Sequence, residues 1–166
     1  MSERMRHCLM GGIAGLLATV PMTIVMIAGK RGLPRRSQDP IPPFQITRKA
    51  LRAAKVDGEA SRAEEVVWSA VNHFGFGAST GALYGCLSTP RSVGDAVSSG
   101  CIYGLGVWCC SYLGWLPAAG LYRSAAKEPP ERNALMIMAH LIWGASLGVT
   151  TRCLSETEPG RTCSNV

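Results

Sequence analysis

Four stretches free of Asp, Glu, Lys and Arg constrain this chain more than anything else in it. They cover residues 7–29, 66–90, 96–122 and 133–151, each 19 to 27 residues long. A helix rising about 1.5 Å per residue needs about 20 apolar residues to cross a hydrocarbon core of ~30 Å. All four stretches meet that length. A helix on the surface of a soluble bundle would instead carry Lys or Glu on its outer face every turn or two. Charged residues are 17% of the chain, below the roughly 25% of average soluble domains. The mean hydropathy is only +0.14 because the charge is gathered into short blocks between the apolar stretches.

The expected fold is therefore all-α: a polytopic membrane protein with spans at about 8–29, 66–88, 96–122 and 133–151. A loop follows at 30–65, and a flexible tail is expected at 152–166. The first span is not read as a cleaved secretory signal. Its apolar run exceeds the 7 to 15 residues of a signal core, and no small-x-small site follows before Lys30.

Four spans put the N-terminus, the middle loop and the C-terminus on one side. That side carries Arg4, Arg6, Arg91, Arg152 and Arg161, and the other carries the remaining twelve of the 17 Lys and Arg residues. The positive-inside rule then places both termini outside and the two basic loops in the cytoplasm. In the first of these loops "DPIPP" is expected to be extended. The following "QITRKALRAAKV" gathers Arg48, Lys49, Arg52 and Lys55 on one side at helical period, with Ile46, Ala50, Ala53 and Ala54 opposite. This predicts a short basic interfacial helix whose partner is anionic inner-leaflet lipid, set against a purely solvated face that acts as a topology signal. The net charge of +6 is accounted for by topology, and no recognition motif or basic-aromatic stripe points to nucleic acid.

Within the spans one phrase occurs twice. "HFGFGASTG" begins at His73 and "HLIWGASLG" begins at His140, 67 residues later. The copies align His73 with His140, Gly77 with Gly144, Ser79 with Ser146, and Gly81 with Gly148. A weaker echo pairs "GGIAGL" at Gly11 with "GCIYGL" at Gly100. The chain reads as two pseudo-repeated helix pairs related by an axis along the membrane normal, with chance similarity in Gly-rich text as the rival explanation.

The glycines fall on stripes of four-residue spacing: Gly11 and Gly15, Gly77, Gly81 and Gly85, Gly100 and Gly104, Gly144 and Gly148. Small residues on one stripe let backbones approach closely in lipid, which predicts a packing face on every span. His73 and His140 lie four residues before Gly77 and Gly144, so they extend these stripes into the bundle interior. Each is eight residues beyond the preceding charge, roughly 12 Å deep. A pair of imidazoles at matched depth is a candidate pH-sensing or polar site, with Ser79 and Ser146 beside it.

Both copies also satisfy G-x-S-x-G. A nucleophile elbow needs a strained strand-to-helix turn and an acid, and neither suits a charge-free span, so the serines are expected to bond the carbonyl one turn earlier or a neighbouring helix. Of the seven cysteines, Cys8, Cys86, Cys101, Cys109 and Cys110 lie in spans without metal-ligand spacing and read as small packing residues. Cys153 and Cys163 in the tail are the pair expected to bond if that side is oxidising. Pro21 and Pro117 are expected to kink the first and third spans.

The phrases "PIPPFQIT", "HFGFGASTGALYG", "YLGWLPAAGL" and "RNALMIMAHLIWGASLG", in this order, make residues 9–151 resemble a family of small bacterial integral membrane proteins of unknown function related to the YagU-like group. The resemblance implies a bacterial inner-membrane location and a small helical bundle, and it assigns no reaction, substrate or site. Three functions stay open. The first is a non-enzymatic protein with an envelope or partner-binding role, without cofactor and able to form homo-oligomers. The second is a pH-responsive passage for protons or a small solute at His73 and His140. The third is a redox bundle in which those two histidines ligate a haem.

Overall fold

In a computed structural model, residues 2–53 and 61–156 are described, and among them every regular element is helical. Helix α1 spans Glu3–Gly32, α2 Pro42–Ala53, α3 Arg62–Leu87 and α4 Val93–Cys109. A π-helical segment, Cys110–Trp115, joins α4 to the single turn α5, Leu116–Ala118, and α6 spans Pro130–Glu156. The long helices overrun the charge-free stretches because their polar ends are capped. Ser2, Ser61 and Ser92 each accept a hydrogen bond from the backbone three residues on, satisfying amides that a helix start leaves unpaired.

Among the described residues, three helical stretches are long and apolar enough to cross a membrane: α1, the run Val93–Ala118, and α6. Helix α3 is 26 residues long, but Asn72, His73 and its many Gly, Ser and Thr residues dilute its apolarity. The surface is reversed relative to a soluble protein. Ile13, Ile24, Val71, Leu83 and Ile102 are exposed, while the closest helix contacts are built from Ala14, Ala18, Ala96, Ala139 and glycine, beside larger buried side chains such as Tyr84, Trp143 and Leu147. An apolar exterior and small residues at the helix contacts suit a lipid solvent, where helices associate by close packing. The pattern is that of a membrane protein.

The predicted stripes are where the helices meet. Gly11 and Gly15 of α1 pack on Gly77, Gly81 and Gly85 of α3, and Gly100 and Gly104 of α4 pack on Gly144 and Gly148 of α6. A Cβ built on Gly11 would stand 2.8 Å from the Gly85 Cα, a backbone contact no side-chain adjustment relieves. The two pairs differ by one turn in register: Gly11 faces Gly81 and Gly85, whereas its echo Gly100 faces Gly144 and Gly148, the echoes of Gly77 and Gly81. Helices α1 and α6 join the pairs, with Trp143 Nε1 donating to the Gly15 carbonyl at 3.3 Å.

Several expectations are corrected. Cys8 and Cys86 are not packing residues but a disulfide, with Cα atoms 4.9 Å apart, tying the start of α1 to the end of α3. The glycine contacts one turn further in bring the two backbones within bonding range. Cys153 is exposed, and Cys163 lies outside the described residues. "DPIPP" is not extended throughout, because Pro42 and Pro43 open α2, where a missing N–H costs nothing. Helix α1 runs through Pro21 as one element. The break in the third span falls ahead of Pro117, at the π-helical segment, where Gly114 leaves helical geometry. The expected tail does not begin at 152, since α6 continues to Glu156, and residues 157–166 lie outside the described residues. Arg152 bonds Glu156 one turn on and donates to the Pro90 carbonyl at 3.4 Å.

The disulfide closes a loop of 78 residues. Reducing it, or replacing Cys86 by Ser, is expected to cost about 2–4 kcal/mol, read as a lower midpoint of thermal unfolding in detergent under reducing conditions.

Candidate functional site

Away from the disulfide end the two helix pairs separate, and a cavity of about 300 Å³ lies between them. Its walls come from the middle of α1 (Thr19, Met22), from α3 (His73, Phe76, Thr80), from the π-helical segment (Ser111, Tyr112, Trp115) and from α6 (His140, Trp143). Helix α2 covers it. Pro43, Ile46 and Ala50 face inward, and Thr47, buried, accepts from Asn72 Nδ2 of α3 at 3.2 Å. On the outer flank Phe76 and Trp115 bring their rings to 6.2 Å.

The two histidines therefore meet in one cavity. His140 is buried, and its Nδ1 lies 2.7 Å from the Met136 carbonyl. A carbonyl only accepts, so Nδ1 carries the proton and Nε2 presents a lone pair. The Tyr112 ring stands edge-on to the His140 imidazole at 5.7 Å, and Tyr122 stands edge-on to Tyr112 at 5.4 Å. His73 differs: its Nε2 is buried and has no hydrogen-bond partner.

A buried polar atom without a partner carries a desolvation cost of about 1–3 kcal/mol, so replacing it with an apolar group of like size is close to neutral or stabilising. His73→Leu is accordingly expected to leave the unfolding midpoint unchanged or raise it. His140→Leu frees the Met136 carbonyl and is expected to lower stability by about 1 kcal/mol. Parallel thermal unfolding of the two variants checks the contrast.

The serines do not join the histidines. Ser79 is exposed on α3 and donates to the Gly75 carbonyl at 2.8 Å, the local bond expected of it. Ser146 is half-buried on α6 and does not line the cavity. The α2 cations point away from it and find protein partners: Arg48 lies 4.0 Å from Glu65, and Lys49 reaches the Gly120 carbonyl at 3.4 Å. Arg52 is exposed, while Lys55 and Ala54 lie outside the described residues.

Sequence reasoning missed Arg132. It is 4% exposed at the start of α6, where it ties the two loops of this end together. Its guanidinium donates to the carbonyls of Ser37, Asp39 and Pro40 at 3.2, 3.3 and 2.8 Å, and to the Tyr122 hydroxyl at 3.2 Å. Glu128 stands 3.3 Å away as its counter-ion. By holding residues 37–40, Arg132 fixes the entry to α2 and so the cover of the cavity. One signal was available: an arginine directly before a span in "EPPERN", one turn beyond an acid.

The arrangement offers apolar and aromatic walls, two imidazoles and a few hydroxyls, with no carboxylate among the described lining residues. No group of three or more His, Cys, Asp or Glu suited to a metal ion occurs among the described residues. Fold and cavity thus describe a small helical membrane protein with an internal cavity. No family model matches the chain, and no curated protein and no solved structure matches it either.

Proposed function

We propose that this chain is a non-enzymatic, four-span protein of the bacterial inner membrane that serves the envelope by binding a small apolar or amphipathic molecule beneath α2. One observation carries the reading: the cavity at His73 and His140 is one-sided. Helix α2 covers it at the loop end, and towards the termini the space between the pairs is filled by the rings of Tyr84, Tyr103 and Trp143, with Tyr103 donating to the Thr80 carbonyl and Trp143 to the Gly15 carbonyl. Helix α3, antiparallel to α1 along the glycine stripe, is the fourth span. Kinship with the YagU-like group and descent from a duplicated helix pair belong to the same proposal.

The Cys8–Cys86 bond supports an orientation with both termini outside, since it lies at the end bearing Ser2 and Glu156, and disulfides persist on the oxidising side of the inner membrane. The basic loops then face the cytoplasm, in accord with the positive-inside rule. The exposed cations of α2 lie there beside anionic lipid.

Native mass spectrometry of the full chain, released from mild detergent, tests the binding role. The expected result is a bound small molecule at near-equal stoichiometry that is lost in Ala50→Trp, which fills the cavity from its cover. Identical spectra for the two proteins would contradict it.

A pH-responsive passage is the second reading, favoured by the two imidazoles lining one space. A haem held by both histidines is the third. It has less support, because a cavity of about 300 Å³ is at the small end for cofactor-sized ligands. A Soret band in the purified protein decides that question.

A further inference from the structure

A second cavity, of about 600 Å³, lies on the other side of His73, between the loop ends of α1 and α3 where these helices part to admit α2. We propose that it is a binding site for an anionic membrane phospholipid, with the phosphate held by Lys30, Arg31 and Arg62 and one acyl chain running inward along Ile27, Phe44 and Phe74.

Lys30 and Arg31 close α1, and Arg62 opens α3, so three cations converge on one mouth from two helices. Of the described carboxylates near the mouth, Asp39 lines an adjoining cavity with Lys30, and the two at the start of α3 are engaged elsewhere. Glu64 accepts from the Ser61 amide at 2.6 Å, and Glu65 faces Arg48 at 4.0 Å. Among the described residues no carboxylate is bonded to any of the three cations. The start of α3 adds its own positive dipole end to the mouth.

Below this ring the walls turn apolar, and the floor is His73, which with Pro43 also lines the first cavity. A free inorganic anion would use the mouth and leave the apolar depth unfilled. A neutral lipid would fill the depth and leave the cations unanswered. Ile27 and Val66 are 46% and 54% exposed on the flank, giving an acyl chain a sideways route from the bilayer. This basic rim over an apolar slot at the interface is the physical pattern that selects acidic head groups. It is distinct from the cations of α2, which lie on that helix's outer face.

The inference rests on the proposed membrane location but not on which side this end faces, because the test uses purified full-length protein in neutral detergent. Phosphatidylglycerol carrying a photoactivatable diazirine on one acyl chain is the probe, and cross-linked peptides are mapped by mass spectrometry. The expected result is labelling at Phe44 and Phe74, reduced at least fivefold by excess unlabelled phosphatidylglycerol and by the triple substitution Lys30→Gln, Arg31→Gln, Arg62→Gln.

Ala70→Trp, which narrows the slot and keeps every charge, is expected to abolish the same labelling, and it decides the matter should the triple variant not fold. Equal labelling by the phosphatidylcholine analogue would overturn the proposal. So would full protection by inorganic phosphate alone, or labels confined to outer residues such as Ile13 and Ile102. A reversed orientation in cells would sink the topology and leave this result standing.

Discussion

Gly81→Leu is expected to prevent the bundle from assembling, and Gly81→Ala to destabilise it by about 3 kcal/mol, the upper end of the overpacking range. A Cβ at Gly81 stands 2.6 Å from the Gly15 Cα and 3.0 Å from its amide nitrogen. Both obstacles are backbone, so α1 and α3 must separate along their whole contact. The measurement is size-exclusion profile and thermal midpoint in detergent, together with the yield of the Cys8–Cys86 bond. That bond needs Cα atoms within about 7 Å, and it is expected to form poorly in Gly81→Leu. Gly75 and Gly106 provide controls on the same two pairs, since a Cβ on either meets nothing within 4 Å. Gly75→Ala and Gly106→Ala are expected to be neutral. If all four variants behaved alike, the glycines would be compositional and the packing account wrong.

Arg132→Met is expected to cost about 3 kcal/mol, the lower end of the range for breaking a buried ion pair. Glu128, its side chain 9% exposed, loses its partner at 3.3 Å and keeps the exposed Arg123 at 3.9 Å. The carbonyls of Ser37, Asp39 and Pro40 lose their donor at the same time. Beyond the lower midpoint, limited proteolysis is expected to cut between Ser37 and Pro40, because the loop that leads into α2 is released. Arg132→Lys keeps the charge and loses the forked geometry, so most of the defect is expected to persist. Arg132→Met with Glu128→Leu removes both partners and is expected to recover about half of the loss. A full-strength protein with Arg132→Met alone would show that the residue serves only as a topology charge.

Much of this architecture was legible in the residues. Charge-free length announces a helix whatever the tertiary context, and glycine spacing announces which face packs, because only small residues admit another backbone in lipid. His73 and His140, which extend the glycine stripes, both line one cavity. The details the sequence missed depend on contacts between distant segments. Nothing in the spacing of Cys8 and Cys86 shows that α1 and α3 align their ends, so they read as packing residues until the glycine register is known.

Arg132 looks like one more cytoplasmic charge until residues 37–40 are folded over it. The prolines of "DPIPP" read as extended chain, whereas Pro42 and Pro43 open α2. The register shift of one turn between the two glycine interfaces is likewise invisible in the aligned phrases. The second cavity had no sequence signal at all, since Lys30, Arg31 and Arg62 converge only because α2 wedges the helix ends apart.

The central claim is that the histidine cavity is a one-sided pocket, closed towards the termini by Tyr84, Tyr103 and Trp143 packed between the helix pairs. Proton flux into liposomes containing the folded protein, measured from pH 5 to 8 for the wild type and the His73→Ala, His140→Ala double variant, tests it directly. The account predicts that neither protein conducts above empty liposomes at any pH. A wild-type flux that switches on near the ordinary histidine pKa of about 6.5 and disappears in the double variant would contradict it, and would make the paired imidazoles a pH-responsive passage.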